Sequence, residues 1–259
     1  MYLLFNNKIK EGEDFKDICP NLDLSLPIFN YKVFISDSVV TLWDYHKEYF
    51  RLISKYLQLD IPNFLNSYDV YLKRLVIRSK LFKGAIVKIY FYPYKNTLNF
   101  IAFPYKSKYR FFNVDSSEIK VIEPSYKIEA FEFNKFYLPP IHSYINKEEF
   151  VICRGKEIIN TKSYNIITIY GKTIIAPALK SNAKFNPFLF KVLEILNNYG
   201  YKIIDKALTK QEIVNAENLW LVSEQTIYTR TGYGTIRYYT SDLAEKIVND
   251  LNKMIFKRQ

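Results

Sequence analysis

The chain has 259 residues, with 37 Lys and Arg against 26 Asp and Glu, giving a formal charge of +11. At 49% hydrophobic and 24% charged it has the makeup of a folded protein of one large or two modest domains. Seven glycines without G-x-G-x-x-G or G-x-x-x-x-G-K-[ST] exclude glycine-built nucleotide loops as motifs. Two distant cysteines and two distant histidines exclude a locally assembled zinc site.

In chain order, MYLLFNNKI, LSLPIF and KVFISDSVVTLW are short apolar runs broken by turn residues and read as strands. From Trp43 the spacing changes. Tyr45, Tyr49, Leu52, Ile53, Tyr56 and Leu57 recur every three or four residues, which predicts an amphipathic helix with Asp44 as its N-cap. A second helix is predicted over 64–80 from Leu65, Tyr68, Leu72, Leu75 and Val76, with Gly84 as its stop signal. AIVKIYFYPY and TLNFIAFPY then read as two strands around a turn at Lys95-Asn96. Their alternating aromatics suit a sheet core better than a base-stacking platform.

EIKVIEP is a further strand and a crossover between halves. EFVICRG and EIINT turn at Gly155-Lys156, and NIITIYGKTIIAPAL forms a hairpin at Gly171-Lys172. Asn186-Pro187 opens the helix PFLFKVLEILNNYG, which Gly200 ends. After the strand YKIID comes a short helix with a Thr209…Glu212 capping box, then the strand NLWLVS and a terminal helix capped by Ser241. This alternation predicts an α/β (α+β) protein in two subdomains, 1–118 and 119–259.

No apolar run approaches the ~20 residues that span a bilayer, and the start MYLLFNNKIK has no signal-peptide pattern. Sparse cysteine points to a reducing compartment, so a cytoplasmic setting without membrane partners is expected. The lysines are scattered rather than run together, so the charge reads as solvated surface and nucleic acid is not the expected partner.

The run EEFVICRGKEIINTKSYNIITIYGKTIIAPAL, a helix, and LTKQEIVNAENLWLVS resemble the C-terminal half of class IV aminotransferases. These are the fold-type IV enzymes of pyridoxal 5'-phosphate (PLP), among them branched-chain aminotransferase, D-amino-acid aminotransferase and 4-amino-4-deoxychorismate lyase. LWDYHKEYFRLISKYL is similar to the family's early helix, which reads L-x-x-H-x-x-R-L. The resemblance implies a PLP-dependent homodimer acting on a small amino-acid-like substrate.

It also implies the site. The Schiff-base lysine falls on Lys127, in Ser125-Tyr126-Lys127, with Lys135 as the alternative. The family's pyridine-facing acid, five residues before its Asn, falls on Asn160; Thr161 and Asn165 follow in the same turn. The first phosphate turn maps to Ser181–Lys184, with Ser181 and Lys184 as donors, and the second to Ser223 and Thr226. Tyr31 matches the family's aromatic residue near the cofactor.

The departures are specific. Asn160 cannot supply the charge that keeps a pyridine nitrogen protonated. Tyr49 stands at the family's phosphate-binding Arg, while Arg51, two positions on, is turned about 200° around the helix. Lys162 replaces a hydroxyl residue, Lys32 an acid, and the first phosphate turn lacks its glycine. Three expectations follow: a divergent PLP aminotransferase or lyase, a degenerate homologue that binds or scaffolds, and, as the weakest, a basic nucleic-acid-binding protein.

Overall fold

The computed structural model describes residues 2–12, 29–94, 96–123, 148–178 and 183–256. Two compact units divide the chain, Met1–Phe111 and Phe112–Gln259, where the sequence places the change at 118/119.

In the first unit, β1 (Tyr2–Phe5) and β2 (Lys8–Glu11) form a hairpin within what reads as one strand, because Asn6 adopts φ 52° at the turn. The run LSLPIF lies almost wholly outside the described residues. β3 (Phe29–Ser36) and β4 (Val39–Val40) follow, then β5 (Ala85–Tyr94) and β6 (Thr97–Lys106). They form one antiparallel sheet in the order β2-β1-β6-β5-β3-β4.

Helix α1 (Trp43–Tyr56) begins where the periodicity changes, but its N-cap is Leu42 at φ 55°; Asp44 sits in the first turn, where a negative charge suits the helix dipole. The second predicted helix is a 3-10 turn over Asn63–Ser67 followed by α2 (Tyr68–Arg78). It stops before Gly84: Lys80 takes φ 58°, and the N–H of Leu81 bonds back to the Val76 carbonyl. Phe50 of α1 meets Phe91 and Phe100 at ring centroids of 5.3 and 5.6 Å, and Tyr68 of α2 lies 5.2 Å from Phe100. Both helices therefore pack on the sheet face that carries Phe91 and Phe100. The aromatics of β5 and β6 are not all core. Strand alternation sends Tyr90, Phe103 and Tyr105 to the opposite face.

In the second unit, β8 (Ile119–Ile122), β9 (Glu148–Arg154), β10 (Glu157–Thr161), β16 (Thr231–Tyr233) and β17 (Ile236–Tyr238) form a five-stranded sheet in the order β10-β9-β8-β16-β17. A six-stranded sheet in the order β13-β12-β11-β14-β15-β7 joins β7 (Asn113–Asp115), β11 (Asn165–Tyr170), β12 (Thr173–Ile175), β13 (Lys202–Ile204), β14 (Asn218–Val222) and β15 (Thr226–Tyr228). The predicted hairpins at Gly155 and Gly171 are present, both glycines at positive φ as their turns require.

One core cluster lies between these sheets, built on Val121, Val151, Ile166, Leu219, Leu221 and Tyr233. Helix α3 (Pro187–Asn198) carries buried Val192 and Leu196, short helix α4 (Lys210–Val214) has its capping box, and α5 (Asp242–Phe256) carries buried Ile247 and Leu251. Phe112 stacks on Phe188 at 4.7 Å, and the Asn252 amide bonds both backbone groups of Phe112, which ties the segment entering this unit to α3 and α5.

Candidate functional site

The expected site residues of the second unit that are among the described ones, Asn160, Thr161, Asn165, Lys184, Ser223 and Thr226, gather where the β10–β11 turn, the entrance of α3 and the β14–β15 turn meet. Thr161 closes the first turn: its Oγ1 accepts from the Tyr164 N–H at 3.1 Å and donates to the Tyr164 carbonyl at 3.2 Å. That turn sets Asn160 (0% exposed) and Asn165 (1%) at the ends of adjoining strands.

Asn165 Nδ2 donates to the Lys184 carbonyl at 2.8 Å. The Asn160 amide holds the other side of the same residue, its Oδ1 accepting from the Lys184 N–H at 2.7 Å while Nδ2 donates to the Ile159 carbonyl at 2.8 Å. In the reverse orientation Oδ1 would accept from Asn165 Nδ2 at 3.2 Å but would face the Ile159 carbonyl, and Nδ2 would face the Lys184 N–H, so the first orientation holds. Two side-chain amides thus clamp the backbone of Lys184. Its ammonium is paired with Glu224 at 2.9 Å.

Sequence reasoning missed the residue at the centre, having read Asn186 only as a helix opener. Asn186 Oδ1 accepts from the Phe188 and Leu189 N–H groups at 3.0 and 3.3 Å, capping α3. Its Nδ2 donates to Asn165 Oδ1 at 3.0 Å and to the Ser223 carbonyl at 2.8 Å. The signal was visible as Asn followed by Pro at a helix start. In the β14–β15 turn, Ser223 Oγ accepts from the N–H of Thr226 at 3.0 Å and of Gln225 at 3.4 Å, and Thr226 is buried.

A second feature of this unit, also missed, is Glu149 on β9, which accepts from the Ser163 N–H at 3.0 Å. Burial pushes its carboxyl above the usual carboxylate range, opposed by that hydrogen bond. Tyr164 beside it packs on Tyr228 at 4.9 Å, and burial raises its phenol.

In the first unit, Tyr31 is 4% exposed and shares a 2.7 Å hydrogen bond with His46 Nδ1. Burial pushes the His46 imidazole down to about 3, so it is neutral at physiological pH. Tyr49, at the family's arginine position, is buried 4.6 Å from the Tyr31 ring, whereas Arg51 is on the exposed side near Glu48 at 3.6 Å. Lys127, Lys135 and Ser181 lie outside the described residues.

No protein-family model matches the chain, and no curated protein matches it. Solved structures do. A branched-chain aminotransferase from the thermophilic archaeon Thermoproteus uzoniensis, with norvaline, aligns at a TM-score of 0.76 and 12% identity, covering 100% of this chain and 96% of that one. The branched-chain aminotransferase of Thermobaculum terrenum in its PLP form aligns at 0.76 and 10%, covering 100% and 94%. A candidate 4-amino-4-deoxychorismate lyase from Legionella pneumophila aligns at 0.73 and 11%, covering 92% and 97%. The chain therefore has the two-subdomain α/β fold of the fold-type IV PLP enzymes; at this identity the likeness is one of fold.

A phosphorylated pyridine needs free donors for its phosphate and a charged partner for its ring nitrogen. As hydrogen-bonded here, the described residues do not fit it. In the first turn of α3, Pro187 has no N–H and those of Phe188 and Leu189 are taken by Asn186. The N–H groups of Gln225 and Thr226 are taken by Ser223, and Lys184 is neutralised by Glu224. At the acid's position stands an uncharged amide with its donor and acceptor in use. Among the described residues no group of three or more His, Cys, Asp or Glu is placed to hold a metal, and no helix is long and apolar enough to cross a membrane.

Proposed function

We propose that this chain keeps the fold of the PLP aminotransferases and lyases without their cofactor cradle, and acts as a binding or scaffolding protein. The observation that carries this reading is the amide network: Asn160, Asn165 and Asn186 spend on protein groups the hydrogen bonds that a cofactor would claim. Three amides also have no charge to give at any physiological pH.

The test is direct. The purified chain is incubated with excess PLP, reduced with borohydride and digested for peptide mass analysis. The expected result is no visible-absorbing complex and no single stoichiometric pyridoxyl-lysine. An adduct confined to Lys127 or Lys135 would overturn the proposal.

That outcome would favour a second reading, supported by the fold and by Ser125-Tyr126-Lys127: a divergent PLP-dependent aminotransferase or lyase for an amino acid or amino-deoxychorismate-like substrate. Lys127 would then hold the cofactor, and Asn160 would bond the ring nitrogen without protonating it. Ser181, Lys184, Ser223 and Thr226 would face the phosphate. Bound cofactor would supply an electron sink for carbanion chemistry; this chain's residues would first have to release Asn160 from the Lys184 N–H. A homodimer in the cytoplasm is proposed under either reading, with light scattering as its check.

A further inference from the structure

Cations and apolar side chains gather on the outer face of α2 and the turn that follows it. The inner face of this helix carries buried Tyr68, Leu72, Leu75 and Val76. On the other side Val70, Arg74, Ile77 and Arg78 fall within an arc of about 100°, and all four are exposed. The helix ends with the Lys80 N–H bonded to the Ile77 carbonyl at 3.0 Å and Lys80 at φ 58°. The chain reverses there and leaves Lys80, Phe82 and Lys83 exposed beyond the last turn. The Ser38 N–H donates to the Phe82 carbonyl at 3.3 Å, which sets Val39 of the edge strand β4 beside this turn.

Two properties set this patch apart from an ordinary solvated surface. Val39, Val70, Ile77 and Phe82 are four of the ten large apolar side chains exposed among the described residues, with Ile77 at 52% and Phe82 at 46%. Asp69 is the sole acid between residues 62 and 84, against Lys73, Arg74, Arg78, Lys80 and Lys83. Asp69 is paired with Lys73 at 3.2 Å, so the other four cations stand in excess. Arg74 lies 6.0 Å from the ring of Tyr71 on its own helix, a contact that orients the guanidinium without neutralising it. Of the acids on neighbouring elements, Glu11 bonds Tyr2, which is within electrostatic reach of Arg78, and Asp37 is paired with Arg110 at 2.8 Å.

We propose that this patch seats the protein on the surface of an anionic bilayer. Val39, Val70, Ile77 and Phe82 enter the headgroup layer, and Arg74, Arg78, Lys80 and Lys83 meet the lipid anions. Projecting apolar tips ringed by cations are what a flat, deformable, negatively charged layer takes up. The long basic stems lie with the apolar residues while their charged ends reach the headgroups. Three of the four apolar residues are aliphatic, so single-stranded nucleic acid would find one ring to stack on and is the poorer occupant. A second copy of the chain is poor too, since two-fold pairing would bring cation against cation. Surface contact needs no spanning helix, so the expectation of no membrane partner, drawn from the lengths of apolar runs, does not bear on it.

This inference goes beyond the reading of the second unit and stands whichever way the PLP experiment falls. The full chain is sedimented with vesicles of phosphatidylcholine alone, or with about one-third phosphatidylserine, at roughly 0.1 M salt. Binding to the anionic vesicles alone is expected, weakening as salt rises. Phe82→Trp adds a reporter. Relative to the parent, its emission should shift to the blue on vesicle binding and be quenched by brominated lipid, which shows insertion rather than charge contact alone.

Arg74→Gln with Arg78→Gln should weaken binding about 25-fold, at ~fivefold per cation. Ile77→Ser with Phe82→Ser should weaken it about tenfold or more and keep its salt dependence. Lys253→Gln on α5 should leave binding intact, and a far-ultraviolet circular dichroism melt confirms that each variant is folded. No binding of the folded chain to anionic vesicles would overturn the proposal, as would equal binding to neutral ones or equal loss in Lys253→Gln. So would loss of a dimer in the Ile77→Ser, Phe82→Ser protein, which would make the patch an interface between copies, or retention on single-stranded RNA that anionic vesicles do not displace.

Discussion

Asn186 donates to Asn165 across 3.0 Å, so the residue that opens α3 also holds the residue that opens β11. With Ser223 at 2.8 Å on the same nitrogen, one amide fastens a helix start, a strand start and the end of β14. Asn186 and Asn165 are buried and Ser223 is partly so, and at such sites an unmade hydrogen bond costs more than a made one contributes.

Asn186→Ala should therefore lower stability by about 2–4 kcal/mol, combining a lost N-cap with orphaned acceptors. Asn186→Asp keeps the cap and loses the donor, so it should still be clearly destabilising. Urea denaturation of the three proteins separates the terms; a loss below ~1 kcal/mol for Asn186→Ala would show that the network does not hold this corner.

His46 sets an acid limit. Its folded value, about 3, lies below the unfolded value of 6.5, so the unfolded chain takes up the proton first and stability falls as pH drops below 6.5. Between pH 7 and 4 the loss from this group is roughly 3 kcal/mol. His46→Gln can still bond Tyr31 and should flatten that part of the profile, measured as the urea midpoint against pH.

Glu149 acts in the opposite sense. Its raised carboxyl is favoured protonated in the fold, so its contribution is full below about 4.5 and is lost as pH rises through the folded value. Glu149→Gln keeps an acceptor for the Ser163 N–H and should gain stability relative to the parent at neutral pH. An unchanged difference between pH 4 and 7 would count against a buried carboxylate there.

Two glycines should respond differently to alanine. At Gly84 an added Cβ would stand 2.9 Å from the Tyr109 carbonyl oxygen, a backbone atom held in place, and Gly84→Ala should cost about 1–3 kcal/mol. At Gly232 the nearest atom is the Arg237 guanidinium at 2.9 Å, the end of a flexible side chain that can swing aside. Gly232→Ala should then stay under ~1 kcal/mol, as read from paired thermal melts.

The sequence reading found those elements whose signals are local. Pro187 after Asn186, the Thr209–Glu212 capping box and the glycine turns at 155 and 171 each fix a few residues by their own chemistry. β7, β15, β16 and β17 went unread because three residues hold no periodicity; the equally short β12 and β13 were legible only from the glycine that precedes each and the apolar run around it. At the site, residue type showed that Asn160 has no charge. That its amide is spent on Lys184 and Ile159 depends on a turn 24 residues downstream coming within hydrogen-bond reach, which no spacing rule reveals. The patch on α2 was hidden for the same reason: spacing shows the two faces of a helix, but not that Val39 comes to stand beside Phe82.

The parallel pairing of β7 with β15 and of β8 with β16 also bears on how the chain is made. During synthesis the first unit has all its strands once residue 106 has emerged. β7 and β8 follow at once; β8 gains β9 on one edge from residue 148, yet β15 and β16, which pair with β7 and with the other edge of β8, come only with Thr226–Tyr233. At typical ribosomal speeds that wait is on the order of ten seconds, during which β7 and one edge of β8 stay open on a tethered nascent chain. Chains released early, before residue 226, would carry those edges into solution, where pairing with a neighbour is their readiest fate.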